Sequence, residues 1–139
     1  MKCHLMALLL CASSAAADPA QVEAVNALRQ AEGRAALEYS DLLAEAAMRH
    51  ARDLAAAQHF SHLGSNGSDV AERVSAVGYG WCVVAENIAK GHETLAEVLS
   101  AWNASPGHRK NMLSPEMRAF AVARAEGNIW VMVLAAPGC

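Results

Sequence analysis

The sequence predicts an α+β domain with a mixed or antiparallel sheet, and three observations carry that prediction. Apolar residues recur at helical spacing through the first half, with recognisable helix caps. Trp81 to Ile88 is a short, valine-rich run that suits a buried strand. Two further apolar runs, Phe120 to Ala125 and Ile129 to Ala135, flank Glu126-Gly127-Asn128 and read as strands joined by a tight turn. Helices gathered ahead of a terminal hairpin belong to layered α+β arrangements rather than to alternating parallel units.

Residues 1–17 read as an export leader and are set aside. Lys2 is its positive start, Leu5 to Cys11 its apolar stretch, and Ala15-Ala16-Ala17 a small-residue cleavage site ahead of Asp18-Pro19. The apolar stretch is too short to span a bilayer, so no stable membrane insertion is expected after cleavage. Residues 18–139 are expected to form one domain, of a size that can bury a core. Val22, Val25, Leu28 and Ala31 line one face of a first helix that stops near Gly33. Ser40-Asp41 resembles a cap with an acidic first turn. A longer helix then runs to about Gln58, with a stripe of Leu42, Leu43, Ala46, Ala47, Ala51, Leu54 and Ala55.

Gly64-Ser65-Asn66-Gly67-Ser68 is a loop by composition, and Ser68-Asp69 caps a short helix carrying Val70, Val74 and Val77. Thr94-Leu95-Ala96-Glu97 fits the capping-box pattern, and Leu95, Val98, Leu99 and Trp102 share a face. Ser105-Pro106 then starts another helical turn, with proline where a missing N–H costs nothing.

The net charge of −3, without any basic run, gives no electrostatic reason to expect nucleic acid or anionic membrane as a partner. Two of the four cysteines fall in the leader, leaving Cys82 and Cys139. In an exported protein these have one intramolecular pairing open to them, with two free thiols as the alternative.

Chemistry concentrates in three islands: Phe60-Ser61-His62, Ala85-Glu86-Asn87-Ile88-Ala89, and Trp102-Asn103-Ala104-Ser105-Pro106-Gly107-His108-Arg109. Neutral imidazoles bind zinc, but a structural centre takes four protein ligands and a catalytic one three plus water. His62 and His108, with Glu86 as a ligand or as an orienting acceptor, would leave open positions and a modest affinity. The plainer reading is that Glu86 bonds one of the histidines and the trio ties helices to the sheet.

These islands, together with Asn26-Ala27-Leu28-Arg29, Asn111 and Leu113, resemble the CAP or SCP-like superfamily of cysteine-rich secretory proteins, venom antigens and plant pathogenesis-related proteins, particularly its short bacterial branch. The resemblance covers residues 18–139 and implies an α-β-α sandwich, a central sheet between helical layers. It also implies a central cleft of two histidines and two acidic residues, which in some members holds a divalent metal, usually zinc. Residue by residue, the histidines are His62 and His108 and the first acid is Glu86. Ser105 stands where many eukaryotic members have a glutamate.

The expected function is therefore that of an exported protein, secreted or periplasmic, whose cleft of His62, Glu86, Ser105 and His108 binds a small ligand or a divalent cation such as zinc without catalysis. A monomer is expected, with a small ligand or an extracytoplasmic protein as partner. The rivals are a zinc-dependent hydrolase of peptide or cell-envelope material, with Glu86 as base, and a structural or interaction domain. A serine hydrolase built on Ser105, His108 and Glu86 is disfavoured, because Ser105 reads as a helix cap and no G-x-S-x-G elbow is present. His59 reads as a partly exposed helix-end residue, the alternative being a helical face shared with His62 as a second coordination option, and His50 and His92 read as surface. Trp81, Trp102 and Trp130 read as core, and Arg73, Arg109 and Asn111 as scaffold.

Overall fold

The computed structural model describes residues 17–139, so the expected leader lies outside the described residues apart from Ala17. Helix α1 (Pro19–Ala31) starts where the Asp18 carboxylate accepts from the Ala20 N–H at 3.0 Å, with Pro19 in the first turn. After the two-residue strand β1 (Glu38–Tyr39), the Ser40 hydroxyl caps the long helix α2 (Asp41–Ala57). Helix α3 (Val70–Ala76) carries a complete capping box between Asp69 and Glu72. Strand β2 (Trp81–Lys90) leads to α4 (Leu95–Ala104) and, across Ser105, to α5 (Pro106–Leu113). The chain closes with β3 (Ala119–Ala125) and β4 (Ile129–Pro137), whose turn places Gly127 and Asn128 at φ of 75° and 56°. Glycine and asparagine are the residues that take this left-handed conformation most readily.

The sheet order is β1-β3-β4-β2. The sheet is mixed, because β1 runs parallel to β3 while the other pairs are antiparallel. Strand periodicity sends alternate side chains to two separate cores. Ala121, Ala123, Val131, Val133 and Ala135 pack against Leu43, Ala46, Ala47, Ala51 and Leu54 of α2, with Val74 of α3. Phe120, Val122, Trp130, Met132 and Leu134 pack against Val25 of α1, Val98, Leu99 and Trp102 of α4, and Met112 of α5. The α-β-α sandwich expected from the resemblance is present, and β4 reads as an unbroken apolar run because both its faces are covered.

Two side chains cover the outer edge of β2. The Trp102 indole donates to the Ile88 carbonyl at 3.2 Å and Asn111 Nδ2 to the Glu86 carbonyl at 3.3 Å, so this edge offers fewer free acceptors to another chain. A second tie lies within the same helical layer. Arg29 is 1% exposed and donates to the carbonyls of Ala35, Met112 and Ser114, joining the end of α1 to the end of α5.

Several expectations need correction. Leu42 is exposed, so the buried stripe of α2 is Leu43, Ala46, Ala47, His50, Ala51 and Leu54, with His50 in a core position rather than on the surface. Trp81 is 36% exposed at the mouth of β2, with its indole bonded to the Ser75 hydroxyl, while Trp102 and Trp130 are core as expected. Glu97 reaches the Glu93 N–H instead of closing a capping box on Thr94. His59 lies in irregular chain after α2 and bonds the Leu63 carbonyl, so it shares no helical face with His62.

Cys82 and Cys139 are bonded, with Cα atoms 5.2 Å apart. The bridge closes a 57-residue separation and pins the last residue to β2, which at that sequence distance stabilises by about 4 kcal/mol in the chain-entropy account. Replacing both cysteines by alanine is expected to lower the unfolding free energy by about 2–4 kcal/mol, measured by denaturant titration of the unreduced proteins. An unchanged midpoint would contradict this.

Candidate functional site

Neighbouring residues of β2 face opposite layers, and this decides what each can touch. Glu86 faces α2 and α3, and Asn87 faces α5. The Glu86 side chain is 2% exposed, so its charge needs compensation inside the protein. Oε2 accepts from the Arg73 guanidinium of α3 at 2.8 Å, and Oε1 accepts from His62 Nδ1–H at 2.8 Å. Both carboxylate oxygens are thereby engaged. His62 comes from the irregular segment after α2, its side chain is 58% exposed, and its Nε2 has no protein partner among the described residues.

Behind this pair lies His50 of α2, 1% exposed. Its Nε2 is 3.1 Å from the Ser61 carbonyl, which fixes that nitrogen as the donor, and 3.7 Å from Glu86 Oε1, too far for a hydrogen bond. Nδ1 is buried without a partner among the described residues. Burial pushes the His50 pKa down, more than the nearby Glu86 charge raises it, and a neutral ring with a bare Nδ1 agrees with that direction.

On the other layer, buried Asn87 donates to the His108 carbonyl at 3.1 Å and accepts from Asn111 Nδ2 at 2.9 Å, which fastens the first turn of α5 to β2. The His108 imidazole is half-buried and makes no hydrogen bond among the described residues. Its pKa is lowered by burial first, then by the charge of His62, so the two rings lie within electrostatic reach of one another. His62 reaches β2 from the α2 side, His108 is held to β2 on the α5 side through its backbone carbonyl, and Glu86 bonds only the former.

Ser105 sits between α4 and α5. Its N–H donates to the Trp102 carbonyl, but its hydroxyl makes no capping bond, contrary to the cap expected for it. The case against a serine nucleophile therefore rests elsewhere: Glu86 orients His62 rather than His108, so the required Ser-His-acid order is not assembled. Arg109 pairs with Glu32 at 2.8 Å, and Asn111 spans Glu86 and Asn87, both scaffold roles as expected. Arg73, also expected to be scaffold, is the counter-ion of the buried carboxylate. The sequence signal for His50 is its place in the α2 stripe, seven residues after Leu43 and four before Leu54. For Arg73 no local signal exists, because its partner is on another element.

The donor set does not fit a resident zinc centre. Among the described residues no three His, Cys, Asp or Glu side chains gather as a metal site. Glu86 is occupied on both oxygens and lies against a guanidinium, and Ser105 supplies no carboxylate. Two imidazoles remain, short of the three or four protein ligands such centres use.

Comparison with known sequences agrees with this architecture. The profile of the CAP family, the cysteine-rich secretory protein family, matches residues 22–134. The chain belongs to this family. A Bacillus subtilis relative, the uncharacterised protein YkwD, is 34% identical over 110 residues, covering 78% of this chain and 43% of the relative. The uncharacterised membrane protein YlbC of the same organism is 27% identical, covering 73% of this chain and 29% of its own length, so the chain spans less than half of either relative. Among solved structures, an extracellular SCP-domain protein of Bacillus anthracis superposes with a TM-score of 0.80 at 23% identity, over 84% of this chain and 39% of that one. An outer surface protein of Borrelia burgdorferi gives 0.78 at 22% identity, over 84% and 90%. At these identities the likeness is one of fold.

The buried histidine makes stability pH-dependent with a definite sign. In the folded state His50 and His108 protonate below their ordinary value of 6.5, so the unfolded chain takes up protons first as pH falls. Stability is full above that value and is lost as pH drops through it towards the folded values. The melting temperature is expected to fall between pH 7.5 and 5, with a shallower fall in His50→Gln, which retains a donor for the Ser61 carbonyl. A melting temperature that rises on acidification would contradict the assignment of His50 as neutral.

Proposed function

We propose that this CAP protein is exported and that its edge cleft, formed by His62, Glu86, Ser105 and His108, binds a small ligand or a loosely held divalent cation without acting on it chemically. The observation that carries this reading is the Glu86 to His62 bond. A carboxylate that holds Nδ1–H fixes the ring's tautomer and leaves Nε2 as the free nitrogen of an exposed side chain. The His108 ring, also without a hydrogen-bond partner among the described residues, stands within its electrostatic reach from the other layer.

A non-catalytic role is supported by the way Glu86 is engaged. Arg73 and His62 engage both oxygens of the Glu86 carboxylate, and among the described residues no hydroxyl or thiol is hydrogen-bonded to it. Export is supported by the leader pattern in residues 1–17, by the Cys82–Cys139 bridge, and by the extracellular and outer-surface descriptions of the structural relatives. No helix among the described residues is long and apolar enough to cross a membrane.

A structural reading is favoured by one observation of its own: Glu86 is fully engaged by Arg73 and His62, as a clamp between layers would be. Calorimetric titration with zinc separates the readings. Saturable binding, weakened at least about tenfold by His62→Ala and by His108→Ala, is expected for the cleft, a factor worth about 1.4 kcal/mol. Binding that is absent, or insensitive to both substitutions, would remove the cation from this reading. Zinc-restored hydrolysis of peptide or cell-envelope material that Glu86→Gln abolishes would support the hydrolase instead.

A further inference from the structure

A cavity separate from the edge cleft lies beside α2. It encloses about 590 Å³ between α2, the loop at residues 65–68 and α3, and it shares only His50 and Arg73 with the Glu86 cluster. We propose that this cavity is a second binding site, for a small zwitterion: a free amino acid or a short peptide with both termini charged. The inference stands apart from the reading of the edge cleft, since neither His62 nor His108 lines the cavity.

The wall carries two guanidinium groups, Arg49 and Arg73, and two carboxylates, Asp53 and Glu72, so its charges cancel. Its apolar side chains are alanines, Ala46 and Ala76, which offer no surface to an aromatic ring or an acyl chain. A ligand matched to this wall is small and polar, with charges of both signs and no net charge. The volume lies within the range of small-molecule sites, roughly 300–1,000 Å³.

All four charges are already held in place, Arg49 by its ion pair with Glu45 one turn earlier on α2. Asp53 accepts from the Ser65 N–H at 2.7 Å and from the Ser65 hydroxyl, and these bonds hold its carboxyl below the usual range and hence ionised. Glu72 accepts from the Asp69 N–H at 2.9 Å, and Arg73 donates to the Ser68 carbonyl at 2.6 Å and to Glu86 at 2.8 Å. Carboxylate oxygens keep a second lone pair and the guanidinium keeps further N–H groups, so each retains capacity for a ligand. The turn packs closely beside Asp53: a Cβ on Gly64 would meet Ser68 Oγ at 2.8 Å and Asn66 Oδ1 at 3.0 Å, so a side chain there would displace these two groups. Charges fixed before a ligand arrives reduce the ordering cost of binding.

The test uses the full chain and alanyl-alanine as probe, with its N-acetylated and C-amidated forms, followed by calorimetry and by two-dimensional NMR. Saturable binding of the free dipeptide is expected, with at least about a tenfold loss when either terminus is blocked. Ala76→Leu, at an exposed position on the last residue of α3, is expected to obstruct the cavity and abolish binding at an unchanged melting temperature. Glu72→Gln, which keeps an oxygen for the Asp69 N–H, is expected to weaken binding at least about fivefold through the lost charge. The shifted resonances are expected at residues 65–68 and Arg73. The proposal is overturned by absence of saturation, by equal binding of the blocked dipeptides, by binding that survives Ala76→Leu, or by shifts centred on the His62 and His108 rings.

Discussion

A carboxylate buried on an edge strand is the constraint around which this protein is arranged. Glu86 cannot sit at 2% exposure as an isolated charge, because desolvating an unpaired carboxylate costs several kcal/mol even after relaxation. Its compensation comes from elsewhere in the chain, from Arg73 on α3 and His62 in the segment after α2. One side chain thus draws two otherwise separate parts of the chain onto β2. The next residue repeats the device on the opposite face, where Asn87 holds α5 through the His108 carbonyl and Asn111. Strand alternation turns two adjacent polar residues into a clamp on both helical layers.

The same arrangement shapes what the cleft can do. The Arg73 guanidinium and His62 take both oxygens of Glu86, so the carboxylate orients the His62 ring. His50, next to it, is held neutral by burial although a carboxylate is within 4 Å, because the guanidinium opposes the attraction and no acceptor meets its Nδ1. Arg29 does for the far layer what Arg73 does for the near one, but with three carbonyls and no carboxylate, so it joins α1 to α5 without creating a reactive group. Arg73 also borders the cavity beside α3, which places the counter-ion of Glu86 in the cavity wall.

Much of the fold was legible in the residues because it is encoded locally. Caps at Ser40, Asp69 and Thr94 mark helix starts, and the Glu126-Gly127-Asn128 turn separates two apolar runs that pair as read. The two-residue β1 escaped, because a parallel pairing of Glu38 and Tyr39 with Ala119 and Phe120 depends on contacts some eighty residues away and leaves no periodicity. His50 was legible and misread: its spacing in the α2 stripe indicates burial, and residue type alone suggested surface. The islands located His62, Glu86 and His108, but not which histidine the carboxylate holds. That follows from which face of β2 each residue occupies, and hence from strand register. Ser105 shows the limit of motif reading, since Ser-Pro marks the helix start correctly while the hydroxyl makes no cap.

The central claim is that Glu86 and Arg73 stabilise the fold as a coupled pair rather than as two independent polar residues. A double-mutant cycle of Glu86→Gln and Arg73→Met, followed by denaturant unfolding, measures this directly. A coupling of about 1–3 kcal/mol is predicted, because removing either partner strands the other's charge and removing both does not. Additive effects, within about 0.5 kcal/mol, would contradict the account.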